Sequence, residues 1–251
     1  MDRATLQAPL SDSAASEAGP AARRALRPRP AATLIVIDRS RRGFKLLMGR
    51  RNPGLAFMGG KFVFPGGRIE PYDRLMPVAG ALSHRAEAAL AAQVARPSPS
   101  LGRTLALAAI RETYEETGLL LGTRAYGAPV SVPEATTWRV FREEGVLPDL
   151  EALHLVARAI TPPGRPRRFD TRFFVTDRRR VASERSGIVG PAAELTELVW
   201  VGPDEARRLD LPRITRAVLD DLEAAVDAAF APHRPIPFYF ERYGKGVRAL
   251  L

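Results

Sequence analysis

Cysteine is absent from the chain, which excludes a disulfide framework, a zinc–thiolate site and a cysteine nucleophile at once. Histidine is nearly as scarce: His84, His154 and His233 stand far apart, at no ligand-like spacing, so a histidine-built metal site is not expected. Any metal must be held by oxygen. Long apolar runs are also missing. The best of them, Leu34-Ile35-Val36-Ile37, falls far short of the roughly 18 residues of a membrane span, and no membrane partner is expected. Lysine is rare: only Lys45, Lys61 and Lys245 occur among 38 basic residues, the other 35 being arginine.

What remains is a chain of 251 residues, 45% hydrophobic, long enough for one large domain or one domain with extensions. The 38 Lys and Arg less 28 Asp and Glu leave a net charge of +10. Arginine's planar fork suits phosphate oxygens, although so uniform a bias also follows from genome composition. The excess is uneven. Between Thr161 and Arg185 lie eight arginines, 165, 167, 168, 172, 178, 179, 180 and 185, against Asp170, Asp177 and Glu184. That concentration suits an anionic partner, either a phosphorylated small molecule or a nucleic acid.

Residues 1–30, rich in Ala, Ser, Pro and Arg without periodicity, read as a disordered leader. Residues 33–38 and 44–48 are apolar or β-branched runs around a Gly-containing turn, which predicts a hairpin. Residues 61–64 read as a third strand, ended by Pro65-Gly66-Gly67. An Ala-rich stretch over 85–93 and a stronger pattern over 101–117, closed by Gly118, predict two helices. Strands are expected at 169–176 and 198–201, and helices from 202 and over 214–230. Strands and helices mix without a βαβ period, so the expected class is an α/β sandwich with a mixed sheet. Residues 231–251 read as a C-terminal tail.

In the second helix Glu112, Glu115 and Glu116 stand at i, i+3 and i+4, so their carboxylates converge on one face, opposite Leu107, Ile110 and Tyr114. Three like charges on one turn repel. They form either a solvated face or a site where a hard divalent cation cancels the repulsion. Arg111 is placed to bridge Glu115 at i+4. Upstream, Phe64-Pro65-Gly66-Gly67 is a strand running into a double glycine, where missing side chains let a backbone carbonyl and a phosphate come close.

Together these stretches resemble the Nudix hydrolase superfamily, whose box reads G-x5-E-x7-R-E-U-x-E-E-x-G-U with U apolar. Gly67 matches the first glycine, and Asp73, six positions on, offers a carboxylate where the family has glutamate. Arg111, Glu112, Glu115, Glu116, Gly118 and Leu119 match the second half, with Thr113 in place of an apolar residue. Spacing is the larger departure: 37 residues separate Asp73 from Arg111, where the box has seven. An insertion over about 74–103 therefore splits the box, and a loop lengthened there costs stability only logarithmically. It carries few convergent polar groups and is expected to be a flap or partner surface. Split boxes occur in the branch of acyl-CoA and CoA diphosphatases and their bacterial relatives. Residues 57–67, 167–174 and 194–201 look like that branch, although Phe57 to Gly60 stand where a His-x-Gly pair is more typical.

The resemblance covers residues 31–219, within a domain expected over 31–230, and implies an α/β/α sandwich. It implies an enzyme that uses Mg2+ or Mn2+ to cleave a diphosphate linkage in a nucleoside-diphosphate-linked substrate of CoA, acyl-CoA, ADP-ribose or dinucleotide type. Gly66, Glu112, Glu115 and Glu116 would hold the metal. Glu112, Glu115 and Arg111 would belong to the catalytic set, joined by Glu194, with Glu184 and Glu197 as lesser candidates. Arg168 and Arg172, four apart on a strand-like stretch and so on one face, are expected to grip phosphates, the alternative being ion pairing around Asp170. Phe57, Trp138 and Phe169 are candidates for stacking on a base or for the core. Competing readings are an RNA 5′-end pyrophosphohydrolase, which lacks the lysine–aromatic interleaving of single-strand binders, and a non-catalytic ligand-sensing module. The partner expected is a small nucleotide and not a nucleic acid, the location cytoplasmic, and a homodimer one assembly open to the chain.

Overall fold

The computed structural model describes residues 26–39, 43–95 and 97–251. Its strands are β1 (Arg29–Asp38), β2 (Lys45–Arg51), β3 (Phe62–Val63), β4 (Gly66–Arg68), β5 (Leu119–Leu121), β6 (His154–Ile160), β7 (Phe169–Asp177), β8 (Val181–Glu184), β9 (Leu195–Val201), β10 (Pro237–Arg242) and β11 (Lys245–Leu250). Five α-helices accompany them: α1 (His84–Ala91), α2 (Leu101–Thr117), α3 (Thr136–Glu143), α4 (Pro203–Arg208) and α5 (Arg213–Asp227).

The main sheet runs β11-β10-β6-β7-β1-β2-β3, with β4 also on β1 and β9 also on β2. It is mixed: β1 and β7 are parallel, as are β6 and β10, and the other pairs are antiparallel. β1 is central, and its apolar run serves both faces, as a strand covered on two sides requires. Leu34 and Val36 pack beneath α1, α2 and α3. Ile35 and Ile37 pack against α4 and α5. The result is the expected α/β/α sandwich. Among the described residues no helix is long and apolar enough to cross a membrane.

Three segments differ from the sequence reading. The insertion over 74–103 is not a flap. Met76, Leu82, Ala86, Ala89 and Leu90 enter the core under α2, and the Arg103 guanidinium closes the segment onto the Met76 carbonyl. Its scarcity of polar groups concealed an apolar face at 86, 89 and 90, a helical spacing. Residues 231–251 are not a loose tail, since β10 and β11 form a hairpin that joins β6 at the sheet's edge. Their alternation of Phe238, Tyr239 and Phe240 is strand-forming chemistry. Of the leader, residues 1–25 lie outside the described residues, and Arg29 and Pro30 open β1.

Candidate active site

The double glycine ends β3's chain direction and is itself a strand. β4 lies antiparallel on β1, with Thr33 opposite Gly66 and Ala32 opposite Gly67. A Cβ on Gly66 would strike the Ala32 carbonyl and Thr33, and one on Gly67 would strike the Glu112 carboxylate. Only glycine lets β4 lie this close to β1 and to α2 at once. The Gly66 N–H donates to Glu116 Oε2 at 3.1 Å.

α2 runs over the residues expected of it and ends on Gly118, whose φ of 81° is the left-handed cap that glycine adopts without cost. Its final turns carry the box. Arg111 is buried, and its five-donor fork is fully used. Nε donates to Asp73 Oδ1 at 2.8 Å and Nη2 to Asp73 Oδ2 at 3.3 Å. Nη2 also reaches the Arg68 carbonyl at 2.9 Å, while Nη1 reaches Glu112 Oε1 and Glu115 Oε2, both at 2.8 Å. Tyr72 lies under the guanidinium, 5.8 Å from ring centre to Cζ. Burial alone would lower the Arg111 pKa, but Asp73, Glu112 and Glu115 more than offset it and keep the group charged. Asp73 has 0% exposure. The two halves of the split box thus meet at this buried ion pair and at the Gly66–Glu116 bond, and the insertion between them leaves both intact.

Glu116 is buried at 5% exposure, so the bland reading of a solvated face fails for it; only Glu115 of the three is exposed. Burial raises the Glu116 pKa, Glu194 and Glu112 raise it further by repulsion, and the Gly66 N–H and Arg51 act in opposition. Glu112 is pushed up to about 7 by burial, with Arg111 opposing and Glu115 and Glu194 repelling. Glu194, expected from its position before β9, does reach this cluster, held by an ion pair to Arg51 at 3.0 Å. Asp73, Glu112, Glu115, Glu116 and Glu194 are five carboxylates, and Arg111 and Arg51 are two guanidinium groups. Fully ionised, these groups together carry three negative charges in excess.

Among the described residues no three His, Asp or Glu side chains are gathered into a ready-made metal cage. The donor set nonetheless fits a hard divalent cation: it is all oxygen, crowded and under-neutralised, and it faces a strand stripped of side chains at Gly66 and Gly67.

The other expected residues fall elsewhere. Arg172 is 1% exposed. It donates to the Asp170 carbonyl and pairs with the Asp170 carboxylate, each at 2.8 Å, and Arg158 takes the same carboxylate. Burial lowers its pKa to about 10, with Asp170 opposing and Arg158 adding to the fall. Arg168 reaches the Thr161 and Leu26 carbonyls. Of the two readings, Arg172 adopts ion pairing around Asp170 and presents no guanidinium to solvent, while Arg168 bonds backbone carbonyls instead of Asp170. Arg178, Arg179 and Arg180 pair with Asp38, Asp177 and Asp149. Trp138 is core, with 0% exposure. Phe57 is half-buried, edge-on to Phe169 at 6.2 Å, and its carbonyl accepts from Arg51 Nε.

Two residues of the site carry no signal in the sequence. Arg51 ends β2 and meets Glu194 because β2 pairs with β9 and the Asn52 N–H holds the Glu194 carbonyl at 2.8 Å. Thr137, in the first turn of α3, donates its hydroxyl to Glu115 Oε1 at 2.5 Å.

This sandwich, with a glutamate-bearing helix laid across a double-glycine strand, is the Nudix fold. No family model matches the chain. A Nudix hydrolase structure from Alicyclobacillus acidocaldarius is 27% identical and superposes with a TM-score of 0.61, covering 83% of this chain and 96% of that one. A candidate nudix hydrolase of Caenorhabditis elegans, number 7, is 25% identical over 185 residues, which is 70% of this chain and 52% of that protein. The chain spans about half the length of that curated relative. By fold, box and these likenesses the chain is a Nudix-fold protein similar to Nudix hydrolases.

Proposed function

We propose that the protein is a divalent-cation-dependent diphosphatase that cleaves a nucleoside-diphosphate-linked substrate of CoA, acyl-CoA, ADP-ribose or dinucleotide type. The observation that carries this reading is the excess of carboxylate charge packed against Gly66 and Gly67. Buried like charges are costly without a compensating cation, and a substrate diphosphate would add more negative charge to the same place. Glu112, Glu115 and Glu116, with the Gly66 carbonyl, are the residues that would hold Mg2+ or Mn2+. Bound there, the cation would lower the pKa of its water and neutralise charge on the phosphoryl oxygens.

The chain's own groups divide the remaining work. Arg111 is a positioning residue, with one guanidinium fixing Glu112 and Glu115 relative to Asp73 and the Arg68 carbonyl. Glu112, held by Arg111 Nη1 at 2.8 Å, would take a proton from attacking water at the cation that it helps to hold. Glu194 stands beside it as a second acid, tethered by Arg51. Phe57 and Phe169, adjoining Arg51, offer an aromatic edge to the base.

The test is a panel of CoA, acetyl-CoA, ADP-ribose, NADH and dinucleoside polyphosphates, with Mg2+ or Mn2+, products separated by chromatography. At least one should be split into two phosphorylated products, with none in EDTA. Absence of hydrolysis across the panel at pH 6 to 9 with either cation rejects the proposal.

A further inference from the structure

Glu115 is the most exposed of the three box glutamates, and an exposed glutamate ordinarily samples several rotamers at an entropic cost to any ligand that needs one of them. Two bonds hold it here. Arg111 takes Oε2 at 2.8 Å, and the Thr137 hydroxyl donates to Oε1 at 2.5 Å. Arg111 belongs to α2 itself and moves with it. Thr137 does not: it comes from α3, across a helix–helix packing, and is 5% exposed.

α3 is a rigid mount. Trp138 and Phe141 are fully buried and meet edge to face at 5.2 Å, and Phe141 meets Tyr114 at 6.0 Å. Phe141 lies one turn after Thr137, and Tyr114 immediately precedes Glu115, so the aromatic contact and the hydroxyl contact tie the same face of α3 to the same turn of α2. The first turn of α3 contains no acidic residue, and Ala135 makes no side-chain cap. The carboxylate of Glu115 is therefore the anion presented, through Thr137, to the positive end of that helix. Each carboxylate oxygen keeps a second lone pair for a further partner.

We infer that Thr137 is a positioning residue for Glu115, fixing its carboxylate in the orientation in which it binds the divalent cation. The inference rests on the reading of Glu115 as a cation ligand, and the experiment separates the two. Mn2+ binding is measured without substrate, by the electron paramagnetic resonance of the free ion, for the wild type, Thr137→Val, Thr137→Ser, Glu115→Gln and the Thr137→Val/Glu115→Gln double variant, with melting temperatures alongside. Loss of a partner that orients a ligand weakens metal binding by about 10- to 100-fold. Thr137→Val, which keeps the volume, should weaken Mn2+ binding by about 10-fold, the low end of that range. Thr137→Ser should restore it to within about twofold, because the hydroxyl returns. In the Glu115→Gln background the Val change should add almost nothing, because both act on one group. If Glu115→Gln weakens binding and Thr137→Val does not, the inference fails and the reading of Glu115 stands. If neither does, both fail. If the two variants weaken binding additively, or Thr137→Val lowers only the melting temperature, Thr137 is a packing residue and the inference is overturned.

Discussion

Two charged regions of this molecule look alike in composition and differ in how they are neutralised. The basic stretch over 161–185 holds half of the net charge, yet four of its eight arginines are matched within the fold: Arg172 with Asp170, and Arg178, Arg179 and Arg180 with Asp38, Asp177 and Asp149. The acidic turn of α2 holds only three glutamates, yet with Asp73 and Glu194 it outnumbers its cations by five to two. Arginines paired with the fold's own acids need no external anion. A smaller cluster left short of counter-ions is the place we propose for an external cation.

That contrast breaks most readily at the joint of the box. Asp73→Asn, which removes the anion from Arg111 Nε and Nη2 while Glu112 and Glu115 still hold Nη1, should cost about 1.5 to 3 kcal/mol, as for a lost hydrogen bond between charged groups, read by denaturant unfolding. Next comes the cluster. Glu116→Gln should lower turnover of whichever panel substrate is cleaved by about 100-fold or more, as for a lost group that acts on the transition state, while its melting temperature in EDTA stays equal to the wild type or rises. On the basic side, Arg172→Ala should destabilise the fold by about 2 kcal/mol, within the usual range for a buried substitution, and leave the Michaelis constant unchanged. A raised Michaelis constant with unchanged stability would return Arg172 to the phosphate-binding role.

The pH dependence follows from Glu112. Its pKa in the fold, about 7, lies above the ordinary 4.5, so the folded state binds the proton more tightly than the unfolded one. Its stabilising contribution is therefore complete below about pH 4.5 and lost as pH rises through 7, and buried Glu116 shifts in the same direction. In EDTA the melting temperature should fall between pH 5 and pH 8, and Glu112→Gln should flatten that slope. Smallest of all, replacing Arg178, Arg179 and Arg180 together by serine should cost about 1 kcal/mol or less, because exposed ion pairs contribute little.

The box was readable because its residues lie within a few turns of one helix: the i, i+3, i+4 spacing of Glu112, Glu115 and Glu116 and the cap at Gly118 are local rules. Glu194 was reachable only through the family's pattern. Arg51 and Thr137 were not, since each meets its glutamate through a pairing or packing that no local spacing encodes. The partners of the arginines were hidden for the same reason. Asp38 and Asp149 are distant in sequence from Arg178 and Arg180, and a net charge counts residues without pairing them. The insertion and the last hairpin were misjudged because apolar spacing was weighed less than position along the chain; β5, α3, β6 and β8 fell in stretches with no strong periodicity.

On the proposed reading, the carboxylates around Gly66 and Gly67 need a cation that the protein does not itself supply. Melting temperature against Mg2+ concentration at pH 7.5, for the wild type, Glu116→Gln and Arg172→Ala, tests it directly, because a ligand bound only by the folded state stabilises it by mass action. Melting temperature should rise with Mg2+ in the wild type and in Arg172→Ala and little or not at all in Glu116→Gln. An equal rise in Glu116→Gln, or none in the wild type, would contradict it.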